Sequence, residues 1–321
     1  MKKIIFKSIV VSVFLFFLAA CNRLENNVQD FIFNRTTMTI TGYNGPGGNI
    51  KIPSKIKGTP VKAIGENTFR FKHLTGIIIP DGITYIGPSA FQYNELTSVK
   101  ISKGITRIEA SAFQFNRLTG VVIPDGVTLI GDYAFNSNKL ENVHIPASVT
   151  LIGNSAFERN KLIRVIIPEN VKVIGDKAFN GNRLESIDIP GSVISIGRYA
   201  FSHNALTSVV IGGGVSVIGD WAFSLNVIDT INIPANVTSI GSSAFQNNLI
   251  TSVIIPDTVA VIGGWAFFNN HIESVVLGKG ITSLEMAVFR DNKLKTVTVP
   301  GNVKFIDNSA FADNPLISTP M

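Results

Sequence analysis

The side chains that most often perform catalysis are few in this chain and widely dispersed. Its four histidines are His73, His144, His203 and His271, and none of them has a partner at a spacing typical of metal ligands. No nucleophile elbow, Walker loop or dinucleotide fingerprint occurs in the context that each of these motifs requires. We therefore expect no catalytic residue, no metal site and no cofactor, and we expect that the protein is not an enzyme.

Basic residues, by contrast, recur at a constant spacing. Four of them stand 22 positions apart: Arg117, Lys139, Lys161 and Arg183. If residues 22 apart lie about 5 Å apart on neighbouring strands, their charges repel one another unless an anion or an acidic residue offsets them. Glu141 and Glu185, each two positions beyond a basic residue, favour a locally neutralised, solvated edge. The alternative is an anion-binding column for an acidic polysaccharide, a lipid headgroup or a sialylated protein.

A second column at the same spacing contains aromatic residues directly before an Ala-Phe pair. Its members are Tyr133, Tyr199, Trp221 and Trp265, and the other positions of the column are mostly serine. Aromatic rings can stack on sugars, so carbohydrate binding is one interpretation. Partial packing on the convex side of the protein is the other.

A third column alternates between apolar and polar residues over most of its length. It reads Ile78, Lys100, Val122, His144, Ile166, Asp188, Val210, Asn232, Ile254 and Val276, followed by Thr298. A row of exposed Ile and Val could form a contact surface for a protein partner. The β-propensity of these residues on a half-exposed sheet explains the pattern equally well. This strip is the best candidate binding site that the sequence offers.

The elements that must position these columns are set by phenylalanine, which returns every 22 residues without slippage. The series is Phe69, Phe91, Phe113, Phe135, Phe157, Phe179, Phe201, Phe223, Phe245, Phe267, Phe289 and Phe311. A fixed period of 20–29 residues is typical of a stacked solenoid, in which each unit buries its apolar face against its neighbours. The rings should therefore form one continuous hydrophobic stack.

Each unit combines a short strand, a turn and a second apolar pair. One unit reads Leu96-x-x-Val99-x-Ile101-x-x-x-Ile105-x-x-Ile108-x-x-x-Ala112-Phe113-x-x-Asn116. The alternating Val-x-Ile predicts a strand, and in most units a proline ends it. A glycine three positions before the Ala-Phe pair indicates a tight corner or a positive φ, and Ala-Phe is expected on a helical turn. The asparagine should satisfy turn backbone groups and could pair with the asparagine of the next unit.

The repeat resembles the leucine-rich repeats of the BspA or Treponema pallidum type over residues 50–316. The resemblance implies a leucine-rich-repeat solenoid with a parallel β-sheet on its concave side and short strands and helical turns on its convex side. Family units are usually one residue longer and often have Cys where this chain has Asn. Family members are envelope or surface proteins, and some are adhesins for host or microbial proteins.

The N-terminus resembles a bacterial lipoprotein signal. Lys2 and Lys3 precede an apolar run over residues 9–18, which ends at Leu18-Ala19-Ala20-Cys21. Cys21 is the only cysteine of the chain, so disulfides play no part in folding. The resemblance to the lipobox implies acylation of Cys21 and anchoring in a membrane. The alternative is an ordinary signal peptide with an accidental cysteine.

The predicted domain plan has four parts: a signal peptide at 1–20, a lipidated tether at 21–36, a capping hairpin with an irregular first repeat at 37–60, and the solenoid at 61–321. The hairpin is expected to pair residues 37–41 with residues 50–53. The last residues, 313–321, stop just after a new unit begins. We expect this end to be open to a second copy or to another envelope protein.

The charge of the chain argues against nucleic-acid binding, and its motifs favour a protein that binds another protein. The formal charge is +6, and removal of Lys2, Lys3 and Lys7 with the signal leaves 25 basic against 22 acidic residues, or +3. This excess is too small to indicate nucleic acid. We predict a bacterial envelope lipoprotein, in the outer membrane or at the cell surface, that acts as an adhesin-like scaffold for a host or microbial protein. The alternatives are a structural or assembly component of the envelope and a carbohydrate-binding surface protein.

Overall fold

The structure, a computed structural model, describes residues 27–317. The chain forms a solenoid of stacked coils, and one 22-residue repeat makes one coil. The core phenylalanine rings stack from coil to coil, with neighbouring centroids 5.2–5.7 Å apart and ring planes within 5–10° of parallel. Near-parallel rings at this separation are offset-stacked. The predicted solenoid and its continuous aromatic stack are confirmed.

The Val-x-Ile segments form a first ladder of parallel strands, which we call the strip ladder. Its strands are Leu74–Ile78, Ser98–Lys100, Gly120–Val122, Asn142–His144, Ser186–Ile189, Ser208–Ile211, Ser252–Ile254 and Ser274–Val276. Paired residues are 22 apart, as in Val122 opposite His144. This ladder is interrupted: among the described coils, those at 164–166, 230–232 and 296–298 contribute no strand to it.

The second apolar pair of each repeat forms a second ladder of two-residue strands. They are Ala63–Ile64, Tyr85–Ile86, Arg107–Ile108, Leu129–Ile130, Leu151–Ile152, Val173–Ile174, Ser195–Ile196, Val217–Ile218, Ser239–Ile240, Val261–Ile262, Ser283–Leu284 and Phe305–Ile306. Eight of them make one uninterrupted parallel sheet from Arg107 to Ile262. The longest continuous sheet therefore lies on this side of the coil.

The asparagine column ties each coil to the preceding one. In Asn138, Nδ2 donates to the carbonyl oxygens of Phe135 and Phe113, and Oδ1 accepts from the N–H of Leu118 at 3.0 Å. The same pattern recurs along the column, so the predicted satisfaction of turn backbone groups is confirmed. Pairing of these asparagines with one another is wrong: their amides bond to backbone groups instead.

The predicted helical turn at Ala-Phe is wrong. The only helical segment in residues 27–317 is a 3₁₀ turn at Val28–Asp30. Ala178 closes a tight turn by donating its N–H to Gly175 O at 3.3 Å, and Phe179 then donates to Ala200 O of the next coil at 2.8 Å. The turn's left-handed residue is Lys177, with φ 56°. Each turn is thus too short for a helix and bonds onward to its neighbour.

The glycine column is explained by close packing rather than by positive φ. Its nine members lie outside the left-handed region: Gly65, Gly87, Gly131, Gly153, Gly175, Gly197, Gly219, Gly241 and Gly263. A Cβ atom on Gly175 would lie 2.7 Å from the backbone N of Asn154 in the preceding coil. Glycine is required because the coils approach each other here closely enough to exclude a side chain.

The N-terminal end of the stack, which we call the cap, consists of five short strands. They are β1 (Phe31–Asn34), β2 (Thr39–Tyr43), β3 (Gly48–Lys51), β4 (Lys55–Ile56) and β5 (Thr59–Pro60). β2 pairs antiparallel with β1, whereas β3 pairs parallel with the first strand of the strip ladder. The predicted pairing of residues 37–41 with 50–53 is therefore wrong. Part of the predicted tether, from Phe31, is the outermost strand of the fold.

Candidate functional site

The strip occupies the outward-facing position of the strip ladder and the equivalent position of two coils without a strand, those of Ile166 and Asn232. Ile78 is half-buried, and the members from Lys100 to Val276 are exposed: Lys100, Val122, His144, Ile166, Asp188, Val210, Asn232, Ile254 and Val276. The flanking Val209 and Ile211 are buried while Val210 between them is exposed, as the alternation of a strand requires. The structure thus places the predicted residues in one row; their role in binding stays a prediction.

The apolar members of the strip are unusually open to solvent. Ile166 is 78% exposed, Ile254 67%, Val276 58% and Val210 55%. Ile254 and Val276 are directly opposite each other in neighbouring strands. Apolar surface that is concentrated in this way is typical of an interaction surface.

The basic column follows the asparagine column along one edge of the coils. Glu141 and Glu185, the acids expected to neutralise this column, form no ion pair within the described residues, so that expectation stays a prediction. Instead Glu95, which belongs to the same column, pairs with Arg117 and His73. Its Oε2 lies 3.0 Å from Arg117 Nη1, and its Oε1 lies 3.5 Å from His73 Nδ1. No ion pair in residues 27–317 involves Lys139, Lys161 or Arg183. Three neighbouring coils therefore present cations that form no ion pair within the described residues.

The same edge becomes apolar further along the solenoid. After Arg183 the column continues with Ala205, Val227 and Leu249, and the last two are exposed. The edge therefore has a basic segment in the middle coils and an apolar segment beside the coils of Val210 and Ile254.

The aromatic column is divided between exposed rings, Tyr133 and Trp265, and a stacked, half-buried pair, Tyr199 and Trp221. Tyr133, Tyr199, Trp221 and Trp265 all have φ between 56° and 60°. The rings of Tyr199 and Trp221 stack on each other at 5.6 Å, and Lys177 lies over Tyr199. Stacking covers the shared faces of this pair. Carbohydrate binding at this column stays an untested alternative.

A second aromatic ladder, which is partly exposed, was not anticipated from the sequence. Phe71, Tyr93 and Phe115 stack at 4.6 and 4.5 Å, and the Arg70 guanidinium lies 4.9 Å from the centre of the Phe71 ring. These residues stand two positions after the core phenylalanines at the same 22-residue spacing. The 22-residue spacing of these rings could have revealed the ladder in the sequence. The longer series of core phenylalanines at the same spacing drew attention away from it.

The remaining features to locate are the lipidation site, metal-binding clusters and membrane-spanning helices. Cys21, the predicted lipidation site, lies outside the described residues. In residues 27–317, no three His, Cys, Asp or Glu side chains come together as a metal site would require, and no helix there is long and apolar enough to span a membrane.

Comparison with solved structures identifies the same fold in other bacterial proteins. A leucine rich cell surface protein from Faecalibacterium prausnitzii has 29% sequence identity and a TM-score of 0.61, over 88% of this chain and 83% of that one. A leucine-rich repeat protein from Bacteroides ovatus has 22% identity and a TM-score of 0.57, over 84% of this chain and 73% of that one. YopM from Yersinia enterocolitica, at 16% identity and a TM-score of 0.53, covers 82% of this chain and 55% of its own, so it shows the fold alone.

Sequence comparison is consistent with this result. No functionally curated protein is detectably similar to the chain. The family model described as "BspA type Leucine rich repeat region (6 copies)" matches residues 47–164, 107–227, 150–273 and 195–318. Together these matches cover most of the chain and every coil of the strip ladder beyond the cap. The chain therefore belongs to the BspA type leucine-rich repeat family.

Proposed function

We propose that this protein is a lipid-anchored scaffold of a bacterial envelope that binds another protein through the strip. The observation that supports this most directly is the row of exposed Ile and Val side chains on the strip ladder. Exposed apolar area is removed from water when a partner docks, which is the main favourable contribution to protein association. The cell-surface location of the similar Faecalibacterium protein supports placement outside the cytoplasm.

The backbone behind the strip is well suited to recognition. The core phenylalanines and the asparagine bonds hold each coil against its neighbours, so the strip residues are displayed on closely stacked coils. A rigid surface loses little conformational entropy on docking. The solenoid therefore needs fewer favourable contacts for a given affinity than a flexible segment does.

The basic column contributes long-range attraction in this proposal. Lys139, Lys161 and Arg183 form no ion pair within the described coils, so each is available to attract an external acidic group. Clustered cations of this kind raise the association rate of acidic partners, and the effect weakens as salt increases. Contact with the strip would then determine how slowly the complex dissociates.

The experiment that tests this proposal is affinity capture with the chain from residue 22 onward, which contains the entire hydrophobic core between Phe31 and Phe311. Proteins captured from envelope fractions and from candidate host cells are identified by mass spectrometry. The triple variant Ile166→Lys, Val210→Lys, Ile254→Lys should lose the partner while its circular dichroism is unchanged.

A matched control comes from the second ladder, where Val173, Val217 and Val261 are also exposed. Changing these three valines to Lys adds the same charge to a different face and should leave capture intact. Equal loss in both triple variants, or no loss in the first, would place the binding site elsewhere.

A structural role inside the envelope is the competing function, and accessibility separates the two. Protease added to intact cells should remove a surface-exposed adhesin. A periplasmic assembly component would survive this treatment and be cleaved only after the outer membrane is permeabilised.

A further inference from the structure

Positive charge is concentrated at one end of this solenoid. Residues 27–72, which form the cap and the beginning of the first regular coil, contain seven basic and two acidic residues. Residues 73–321 contain 17 basic and 19 acidic residues. The modest excess of positive charge in the mature chain therefore belongs to the cap rather than to the solenoid as a whole.

The cap also contains a cavity of about 320 Å³ between the 3₁₀ turn Val28–Asp30, strand β1 and the β4–β5 hairpin. Its walls combine apolar side chains with Gln29 and two cations: Val28, Phe31, Phe33, Ile56, Gln29, Arg35 and Lys57. An apolar interior with cations beside it is complementary to an amphiphilic anion rather than to a fully hydrated one.

The two cations of this cavity are held by local backbone structure and have no carboxylate partner. Lys57 stands at the tip of the hairpin with φ 47°, followed by Gly58 with φ 79°, a pair of left-handed residues typical of a two-residue hairpin turn. Arg35 Nε donates to Thr59 Oγ1 at 3.2 Å across the same hairpin. Within residues 27–317 neither side chain forms an ion pair. Each can therefore meet an external anion.

Exposed apolar side chains accompany these cations at the same end. Ile32 on the outermost strand β1 is 50% exposed, and Val28 and Met38 are exposed as well. Because β1 has a neighbouring strand on one side only, these residues belong to the terminal face of the stack. Cations mixed with protruding apolar side chains are characteristic of surfaces that bind at a membrane interface.

We propose that the cap docks on an anionic lipid bilayer and that its cavity takes the phosphate group of a lipid headgroup between Arg35 and Lys57. Ile32, Val28 and Met38 would then contact the interfacial region of the bilayer. The predicted acylation of Cys21 supports the proximity, because the six residues from Cys21 to Asn27 span at most about 20 Å. The charge and the cavity of the cap do not depend on that acylation.

Docking of the cap has a consequence for the proposed binding function. The cap is the terminal face of the solenoid, so contact with the bilayer at this face would direct the later coils away from the membrane. The strip residues from Ile166 to Val276 would then be presented beyond the lipid surface, where a protein partner can reach them.

The test is flotation of the unacylated chain from residue 22 onward with lipid vesicles. Vesicles of phosphatidylcholine alone are compared with vesicles that also contain phosphatidylglycerol. The wild-type chain should bind only the anionic vesicles and should be released by salt. The double variant Arg35→Glu, Lys57→Glu should bind them at least about 30-fold more weakly, the effect of removing two cations from an anionic surface.

A charge-matched control comes from the opposite end of the solenoid, where Lys293 and Lys295 are exposed. The double variant Lys293→Glu, Lys295→Glu should bind anionic vesicles within about twofold of wild type. Equal weakening in both double variants, or no binding by the wild-type chain, would overturn the proposal. If reversal unfolds the cap, Arg35→Gln with Lys57→Gln replaces it. Cap variants should still capture the protein partner, so failure here is distinguishable from failure of the strip.

Discussion

Asn160 donates through Nδ2 to the carbonyl oxygen of Phe135, 25 residues earlier, at 2.9 Å. The same amide donates to Phe157 O in its own coil at 3.1 Å, and its Oδ1 accepts from the N–H of Leu140 at 3.0 Å. One buried side chain therefore completes the turn of its own coil and connects that turn to the coil before it. These bonds serve backbone groups that water does not reach.

Replacing Asn160 with Ala should be strongly destabilising. The change leaves the N–H of Leu140 with no partner in the interior. It also removes one of two asparagine donors from each phenylalanine carbonyl, since Phe135 O keeps Asn138 and Phe157 O keeps Asn182. The free energy of unfolding should therefore fall by about 2–3 kcal/mol. Urea denaturation followed by circular dichroism measures the change.

Asn232→Ala provides the control, because Asn232 is exposed on the strip. Its effect should stay within about 0.5 kcal/mol. A loss of less than about 1 kcal/mol for Asn160→Ala would mean that water replaces the amide and that the column is not essential.

Two glycines should respond oppositely to the same added methyl group. In Gly175→Ala the new Cβ would lie 2.7 Å from backbone atoms of residues 153 and 154, so the coils must separate and the free energy of unfolding should fall by about 1–3 kcal/mol. In Gly191→Ala the Cβ meets nothing within 4 Å, and stability should be unchanged or slightly increased. Thermal unfolding of the two variants side by side checks this. Similar melting temperatures would contradict the close approach.

The basic column should destabilise the protein at low salt. Lys139 lies between Arg117 and Lys161 in the column, so Lys139→Glu replaces two repulsions with two attractions. We expect a gain of about 0.5–1 kcal/mol at low ionic strength, which should disappear in about 1 M salt.

Lys172→Glu is the matched control, because Thr150 and Ile194 occupy the neighbouring positions of its column. It should change stability by no more than about 0.3 kcal/mol. A loss of stability for Lys139→Glu would mean that the cations are already compensated.

Acylation of Cys21 can be tested directly in a bacterial host. The wild-type chain should incorporate labelled palmitate and sediment with membranes after cell lysis, whereas Cys21→Ser should do neither, because serine has no thiol to accept the lipid. Labelling of Cys21→Ser at the wild-type level would contradict the lipobox assignment. The variant Cys21→Ser keeps the solenoid intact, so its circular dichroism should match that of the wild-type chain.

Several features of this protein were predictable because they depend on spacing alone. A ring placed at a constant interval must lie over the previous ring once the chain coils, so Phe135 above Phe113 follows directly from the 22-residue period. The same period places Val210 in line with Ile166, and the alternation of the repeat motif predicts that both face outward. Neither conclusion requires knowledge of how closely the coils approach.

Other features depend on distances between coils, which no single repeat contains. Gly175 is a glycine because a neighbouring backbone leaves no room for a Cβ atom, and the asparagine amide reaches a carbonyl of the preceding coil rather than another amide. Arg117 pairs with Glu95, which is 22 residues earlier, whereas Lys139 forms no ion pair with Glu141, two positions further along. Stacking makes residues 22 apart closer than residues two apart along an extended strand.

The cap shows most clearly which features the sequence pattern predicts and which it does not. Alternation in residues 37–41 was sufficient to predict a strand, but pairing is decided by which edge is available. β1 pairs with β2 at the terminal face of the stack, and β3 pairs with the first strand of the strip ladder. The sequence by itself determined the repeat, the inward rings and the outward columns, since these follow from periodicity. The tertiary structure decided the partners, because contacts between coils are set by packing distance and not by order along the chain.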